Sequence, residues 1–256
     1  MMWKFVNTGL RRGAFNMEYD EYLAKRLLEG NGSPTVRVYG WEPYAISLGY
    51  NQKEHEVDIE RSRAEGIDIV RRPTGGRAIL HAHELTYSVV MFTEGRSVME
   101  TYAFISKGLV TALHFLGVDA EISPGDVNFS ELYKPEAATS CFASTSRYEV
   151  HYRGKKIVGS AQRRYGPVLL QHGSLLLGTQ HRQLAQYMVS PRKREIIQTV
   201  LQHRTIEVET ILGRPVFFRE VVEAVRKGFE TAFEVECNDQ GEVVEDNGGF
   251  SQLVHQ

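Results

Sequence analysis

Residues 67–92 decide the fold: Ile67-Asp68-Ile69-Val70-Arg71-Arg72-Pro73-Thr74-Gly75-Gly76-Arg77-Ala78-Ile79-Leu80-His81-Ala82-His83-Glu84, then Leu85 to Phe92. The β-branched alternation of 67–71 predicts a strand, and Pro73 to Gly76 is a turn. Residues 77–81 and 85–92 supply two further strands. Three strands this close in sequence, without a helix between them, argue against strict βαβ alternation.

Working outward, Tyr19, Tyr22, Leu23, Leu27 and Leu28 recur at helical spacing and stop at Gly30-Asn31-Gly32, predicting a helix over 15–29. Val36-Arg37-Val38-Tyr39 alternates, and 44–49 follows after a tight connection, so both read as strands. Residues 55–65 form a short polar helix. Met99, Tyr102, Ile105, Leu109, Leu113 and Leu116 place a helix over 97–116, lying on a sheet and stopping at Gly117. Strand-like pieces follow at 118–122, 147–153, 156–165 and 168–177, with Arg153-Gly154-Lys155 a hairpin turn. From Gln183 the pattern turns helical, with a short helix over 205–212 closed by Gly213 and a longer amphipathic one over 218–233. Clustered strands and separate helices predict an α+β fold whose sheet is mixed and largely antiparallel.

The chain has 256 residues, against a prior of roughly 150 per domain. One domain is expected over 1–240, with 241–256 a mobile tail because that stretch has few apolar anchors. Asn238-Asp239-Gln240-Gly241 reads as a turn. The fractions, 42% apolar and 24% charged, exclude collagenous, coiled-coil and wholly disordered chains. A formal net charge of −2 gives no general electrostatic attraction to nucleic acid or to an anionic membrane. Two cysteines without paired C-x-x-C spacing exclude a disulfide scaffold and a structural zinc site. With neither an apolar leader nor a run of about 18 apolar residues, a cytoplasmic protein is expected.

The densest candidate for chemistry is Arg71-Arg72-Pro73-Thr74-Gly75-Gly76-Arg77. Three guanidiniums bracket a turn whose glycines permit positive φ, the ingredients of an anion-binding nest with phosphate as its guest. The plain alternative is a hairpin turn with solvated arginines. His81 and His83, two apart, would share one face of a strand as metal ligands do, but no further ligands are evident nearby, so no metal is expected. One of the pair could instead line a pocket beside Glu84. Cys141 lies among small and hydroxylated residues, Ala138 to Ser146, that suit a loop. It reads as a nucleophile if a neighbouring cation lowers its pKa, and otherwise as a small buried hydrophobe, the reading kept for Cys237. Gly154-Lys155-Lys156-Ile157-Val158-Gly159-Ser160-Ala161 carries two lysines, only one of which faces inward, then small residues where a ligand can approach the backbone. Gln171-His172-Gly173-Ser174 interrupts an apolar strand, which either bends there or lines a site.

Residues 71–81 and 154–161, about 80 positions apart in this order, resemble two motifs of the lipoate-protein ligases, octanoyltransferases and biotin-protein ligases. The resemblance covers roughly 35–178 and implies a biotin/lipoate ligase-like catalytic domain with a mixed or antiparallel sheet. It implies that Lys156 points at an acyl carbonyl. It also implies substrate contacts from Arg71, Arg72, Thr74, Gly75, Gly76, Arg77, His81, Gly159, Ser160, Ala161, His172 and Gly173. Arg77 stands where the ATP-dependent ligases usually carry a third glycine. Residues 82–88 and Ser140-Cys141-Phe142 also depart from the ligases. Those departures are similar to the octanoyltransferase branch with a loop cysteine, so the resemblance makes Cys141 the expected nucleophile.

The implied reaction moves an octanoyl group from acyl carrier protein to Cys141, then to the lysine of a lipoyl domain or the glycine cleavage H protein. In this reading Lys156 steadies the oxyanion, the apolar strands 78–80 and 168–177 line a tunnel, and the three arginines meet the phosphopantetheine phosphate or the acidic carrier. His81 and His83 remain equal candidates for a proton shuttle. No ATP or metal is expected. An ATP- and Mg-dependent lipoate ligase, an amidotransferase between carrier proteins and a non-catalytic acyl-binding module are the rivals.

Overall fold

A computed structural model describes residues 2–123 and 149–239. Cys141 and the expected tail, 241–256, lie outside the described residues. The main sheet has eight strands, β1 (Trp3–Arg11), β2 (Thr35–Trp41), β6 (Glu84–Phe92), β7 (Glu121–Ile122), β8 (Val150–Tyr152), β9 (Lys155–Tyr165), β10 (Val168–Leu176) and β11 (Cys237–Asp239), in the order β11-β1-β2-β6-β10-β9-β8-β7. Its β1–β2 and β1–β11 pairs are parallel and the other five are antiparallel, as the α+β reading expected. A second sheet, β4-β3-β5, comprises β3 (Ala45–Leu48), β4 (Asp68–Arg71) and β5 (Ile79–His81).

The helices are α1 (Gly13–Leu28), α2 (Ile59–Ala64), α3 (Val98–Phe115), α4 (Pro191–Arg204), α5 (Val208–Leu212) and α6 (Phe218–Phe233). A capping box starts α3: the Ser97 hydroxyl accepts from the Glu100 amide while the Glu100 carboxylate accepts from the Ser97 amide. Its apolar stripe and that of α6 cover one face of the main sheet, closing a core around Ile105, Leu109, Leu113, Val225 and Phe229. On the opposite face α1 lies against β2, β6 and β10. A smaller core joins β3 and β5 to a 3₁₀ segment, Thr179–Tyr187, and to Ile197 and Leu201 of α4.

Several elements differ from expectation. The helix expected over 55–65 divides into a 3₁₀ turn at Glu54–Glu56 and α2, with Val57 between them bridged to Met188. Strand β1 escapes a periodicity search because its register shifts between Asn7 and Leu10, around Gly9 at φ 66°, so no run of alternation survives. Residues Cys237–Asp239 form strand β11 beside β1 rather than leading into a turn. The helix expected over 205–212 begins at Val208, because Thr205 is drawn into a bridge with Lys156 and its hydroxyl meets His181.

Candidate active site

Strand pairing places functional side chains by parity. Gly159 of β9 opposes Ser174 of β10, Ser174 opposes Thr86 of β6, and Thr86 opposes Tyr39 of β2. Opposed residues share a face, so this row crosses four strands on the α1 side. The next row, Ala161, His172, Ser88 and Arg37, lies on the same face. Farther along, Val90 and Leu170 turn apolar beneath Ala24 and Leu27 of α1. The polar rows thus sit under the N-terminal half of α1 and against the small sheet, and there a narrow cavity of about 20 Å³ opens.

Of the expected residues, Arg72, His81, Gly159, Ser160, Ala161, His172 and Gly173 line this cavity. Thr74, fully buried, reaches it through His172. Arg71 and Arg77 do not. Arg71 donates to the carbonyls of Gly49, Tyr50 and Gln52 and pairs with Glu54, and Arg77 is half-buried, 3.9 Å from Glu56. Arg72 donates to the Gly75 and Arg77 carbonyls and to Ser47, so it holds the turn in shape. Carbonyls that leave the β ladders at a turn need donors, and two of the three arginines supply them. Gly76 has φ 96° and its carbonyl crowds Gly49, where a Cβ would stand only 2.0 Å away. Gly75 completes this turn.

Two hydrogen-bond chains floor the cavity. In the first, His172 Nδ1 lies 2.9 Å from Asp20 Oδ2 and Nε2 lies 2.7 Å from Thr74 Oγ1. Burial alone would raise the Asp20 pKa, but Arg37 at 2.7 Å and the His172 contact outweigh it and hold it below the usual carboxylate value. Burial, the largest influence on His172, pushes that imidazole down, and its contact with Asp20 does not reverse this. A neutral ring beside a carboxylate carries its hydrogen on Nδ1, so Nε2 accepts from Thr74. Tyr39, also bonded to Asp20, is pushed far up, first by burial and then by that carboxylate.

In the second chain the donor-only groups at the ends set the direction. Arg72 donates to Ser47 Oγ, leaving the Ser47 hydroxyl to donate to His81 Nε2 at 2.7 Å. The indole of Trp41 donates to Thr86 Oγ1 at 2.7 Å, and Thr86 donates to Glu84 Oε1 at 2.6 Å. His81 Nδ1 meets the same carboxylate oxygen at 2.8 Å. His81 is therefore the histidine that stands beside Glu84. His83 diverges, 3.3 Å from Glu209, because the chain leaves β5 at His81 and strand parity no longer aligns the two rings.

Lys156 reaches the same side of the sheet by a bulge. The β8–β9 register shifts between His151↔Lys156 and Val150↔Val158, leaving Ile157 as the extra residue. Ile157 and Val158 both pack into the α3–α6 core, so Lys156 is turned to the face that carries Gly159. It is buried and pairs with buried Glu149 at 2.7 Å, whereas Lys155 is exposed. Residues not foreseen as part of the site are Met17, Tyr39, Trp41, Ser47 and Thr86, all lining the cavity. The only sequence signal for them is a small hydroxyl residue set into each of two apolar strands, Ala45-Ile46-Ser47-Leu48 and Leu85-Thr86-Tyr87.

Buried Arg72, His81 and His172 thus line a narrow cleft on one face of a mixed sheet in an α+β frame. Residues 12–230 match the lipoyl protein ligase A/B catalytic domain, and the chain belongs to that family. It is an acyltransferase. It is 40% identical over 237 residues to the octanoyltransferase LipM of Kyrpidia tusciae, covering 90% of this chain and 86% of that one. To the octanoyltransferase LipM of Geobacillus kaustophilus it is 39% identical over 243 residues, covering 91% and 87%. In fold it resembles a bi-partite lipoate protein ligase from Thermoplasma acidophilum, solved in a study that included its E2 lipoyl domain, with TM-score 0.73 at 22% identity over 94% and 88% of the two chains. Among the described residues no helix is long and apolar enough to cross a membrane.

Proposed function

We propose that the chain transfers an octanoyl group from octanoyl-acyl carrier protein, through a thioester on Cys141, to the lysine of a lipoyl domain or of the glycine cleavage H protein. The observation that carries this reading is the buried Lys156 ammonium, paired with Glu149 on the α1 side of β9, three residues before the stretch 159–161 that lines the cavity; Lys156 itself is not among the lining residues. The similarity to octanoyltransferases over nine-tenths of the chain supports the same substrate.

In the first half-reaction the Cys141 thiolate attacks the carrier's thioester carbonyl. A new C–S bond forms, the pantetheine C–S bond breaks, and the departing thiolate takes a proton. In the second, the acceptor's amine attacks the acyl-enzyme, a C–N bond forms, and its proton passes to the leaving Cys141 sulfur. Amide formation from a thioester is downhill, so this route draws on neither ATP nor metal. Lys156, anchored by Glu149, donates to the carbonyl oxygen as charge develops on it, a contribution of about 10²–10³ in rate for one such donor. Burying an eight-carbon chain gains about 0.8 kcal/mol per methylene, which secures binding without further polar contacts. Arg77, turned toward the surface, is the arginine of the loop best placed for an acidic carrier.

Intact-protein mass after mixing with octanoyl-acyl carrier protein, without ATP, tests the reading. A hydroxylamine-labile octanoyl adduct on the natural sequence and none on Cys141→Ala is the expected result. An adenylate formed only from lipoate and ATP, with no adduct from the carrier, would overturn it in favour of a ligase.

A further inference from the structure

Neither histidine expected as a proton shuttle stands beside Lys156: His81 is bonded to Ser47 and Glu84, and His83 pairs with Glu209. That place belongs to His151 of β8. It lies directly opposite Lys156 in the β8–β9 pair, so the two side chains share a face. Glu149, two residues earlier in the chain, stands between them. Its Oε1 is 2.7 Å from Lys156 Nζ and its Oε2 is 3.6 Å from His151 Nε2. Each of the three residues is at most 9% exposed. The longer contact exceeds hydrogen-bond range, and His151 Nε2 has no hydrogen-bond partner among the described residues.

One buried carboxylate therefore serves two nitrogen bases. While the imidazole is neutral, the charges of Glu149 and Lys156 cancel and the ammonium holds the carboxylate. A protonated imidazole adds a positive charge that nothing in this trio balances, and it competes for the same carboxylate. Charge-assisted bonds are strongest at about 2.7–2.9 Å, so closing the 3.6 Å gap draws Glu149 toward the ring and away from Lys156. Imidazole is the side chain whose charge changes between about pH 5 and 8. Among the described residues, the other charged group facing His151 is exposed Glu121, directly opposite on β7. Helix α3 meets β8 on the other face, at Val150, and exposed Lys155 stands opposite Tyr152 rather than His151.

We propose that His151 is a positioning residue for acyl transfer, acting on Lys156 through Glu149, a role that rests on the acyl-transfer reading above. Neutral, it leaves the carboxylate to hold the Lys156 ammonium in place. When it takes a proton from solvent it draws the carboxylate off, and transfer slows as the pH falls. It forms no bond with the acyl group and gives no proton to it.

The test is the single-turnover rate of octanoyl adduct formation from octanoyl-acyl carrier protein, followed by intact mass from about pH 8 down to about pH 5.5, the range in which imidazole titrates. It compares the natural sequence with His151→Gln. The nucleophile's own titration slows both proteins alike, so the quantity read is the variant-to-natural ratio of rates. Whatever its value at the upper limit, that ratio is expected to rise about fivefold toward the lower one, well inside the 10²-fold that a misplaced group costs. In a Glu149→Gln background the same rise should vanish. A ratio that stays flat or falls, in variants that melt cooperatively, overturns the proposal. If His151→Gln does not fold, His151→Leu decides by the same criterion. If the natural sequence forms no adduct at any pH, the acyl-transfer reading fails on its own. The coupling is then judged by proton NMR titration of the His151 ring, whose midpoint should drop when Glu149→Gln removes the carboxylate, and an unchanged midpoint sinks it.

Discussion

The two faces of the main sheet are built from the same strands by opposite chemistry. On the α3–α6 face, Val36, Val38, Leu85 and Val89 pack against Ile105, Leu109 and Phe229, with the Gln171–Tyr87–Ser160 chain as a polar seam. On the α1 face the same strands present Arg37, Thr86, Ser88, His172 and Ser174, all buried. Every residue of β2 is buried, so its alternation separates two interiors rather than interior from solvent. The apolar face gains from area and tolerates small changes of shape. The polar face is held by directional bonds and is correspondingly intolerant of a missing partner.

The largest break in that comparison is expected at Arg37. Fully buried, it donates to Thr8 of β1 and to Asn16 and Asp20 of α1, and its guanidinium lies 3.8 Å from the Tyr39 ring centroid. Arg37→Ala leaves the Asp20 carboxylate without its main counter-charge, at a cost of about 3–5 kcal/mol. Urea unfolding should show it, and pairing the change with Asp20→Asn should recover part of the loss. A midpoint close to that of the natural sequence would mean that the polar face is not held by this cluster.

A sharper comparison sets one hydroxyl against one methylene. Thr86→Val keeps the side-chain shape but leaves the Trp41 indole N–H without its acceptor and removes one donor from Glu84, a loss of about 1–3 kcal/mol. Ile105→Val, fully buried in the apolar core, should cost about 0.5–1.5 kcal/mol. Denaturant titration of both variants decides the point, and an equal or smaller loss for Thr86→Val would remove the distinction between the faces.

This asymmetry explains what the sequence revealed. Strands β2, β4, β6, β9 and β10 and helices α1, α3 and α6 were legible because each carries enough local period to be read alone. The segments 71–77 and 154–161 were legible as site elements because glycines and cations cluster there. Met17, Tyr39 and Trp41 were not, since each belongs to an ordinary apolar pattern and becomes part of the site only when α1 and β2 close over β6 and β10. Arg71 and Arg72 read as ligands for an anion, yet their donors serve main-chain carbonyls whose positions no local pattern reports. The inward turn of Lys156 depends on a bulge created by pairing with β8, a long-range event, although the choice between the two lysines followed from alternation and resemblance.

The smallest expected effect is a pH dependence to which the polar face contributes through His172. His172 has its pKa held below 6.5 chiefly by burial, with Arg72 and His81 adding to the depression and Asp20 opposing it. The unfolded chain therefore binds the proton more readily, and stability is full above 6.5 and falls as the pH drops below it. Asp20, also lowered, adds a second loss only once the pH falls below 3.8, where the unfolded carboxyl takes up its proton. His181, lowered by burial despite Glu207, acts in the same upper window, so His172→Asn should reduce the slope there without abolishing it. One proton sets the limit at about 1.4 kcal/mol per pH unit. Asparagine can still donate to Asp20 and accept from Thr74, so the variant should keep most of its stability at pH 8 while losing less between pH 6.5 and 5. Unfolding free energies at several pH values would show this, and an unchanged slope would place the titrating group elsewhere.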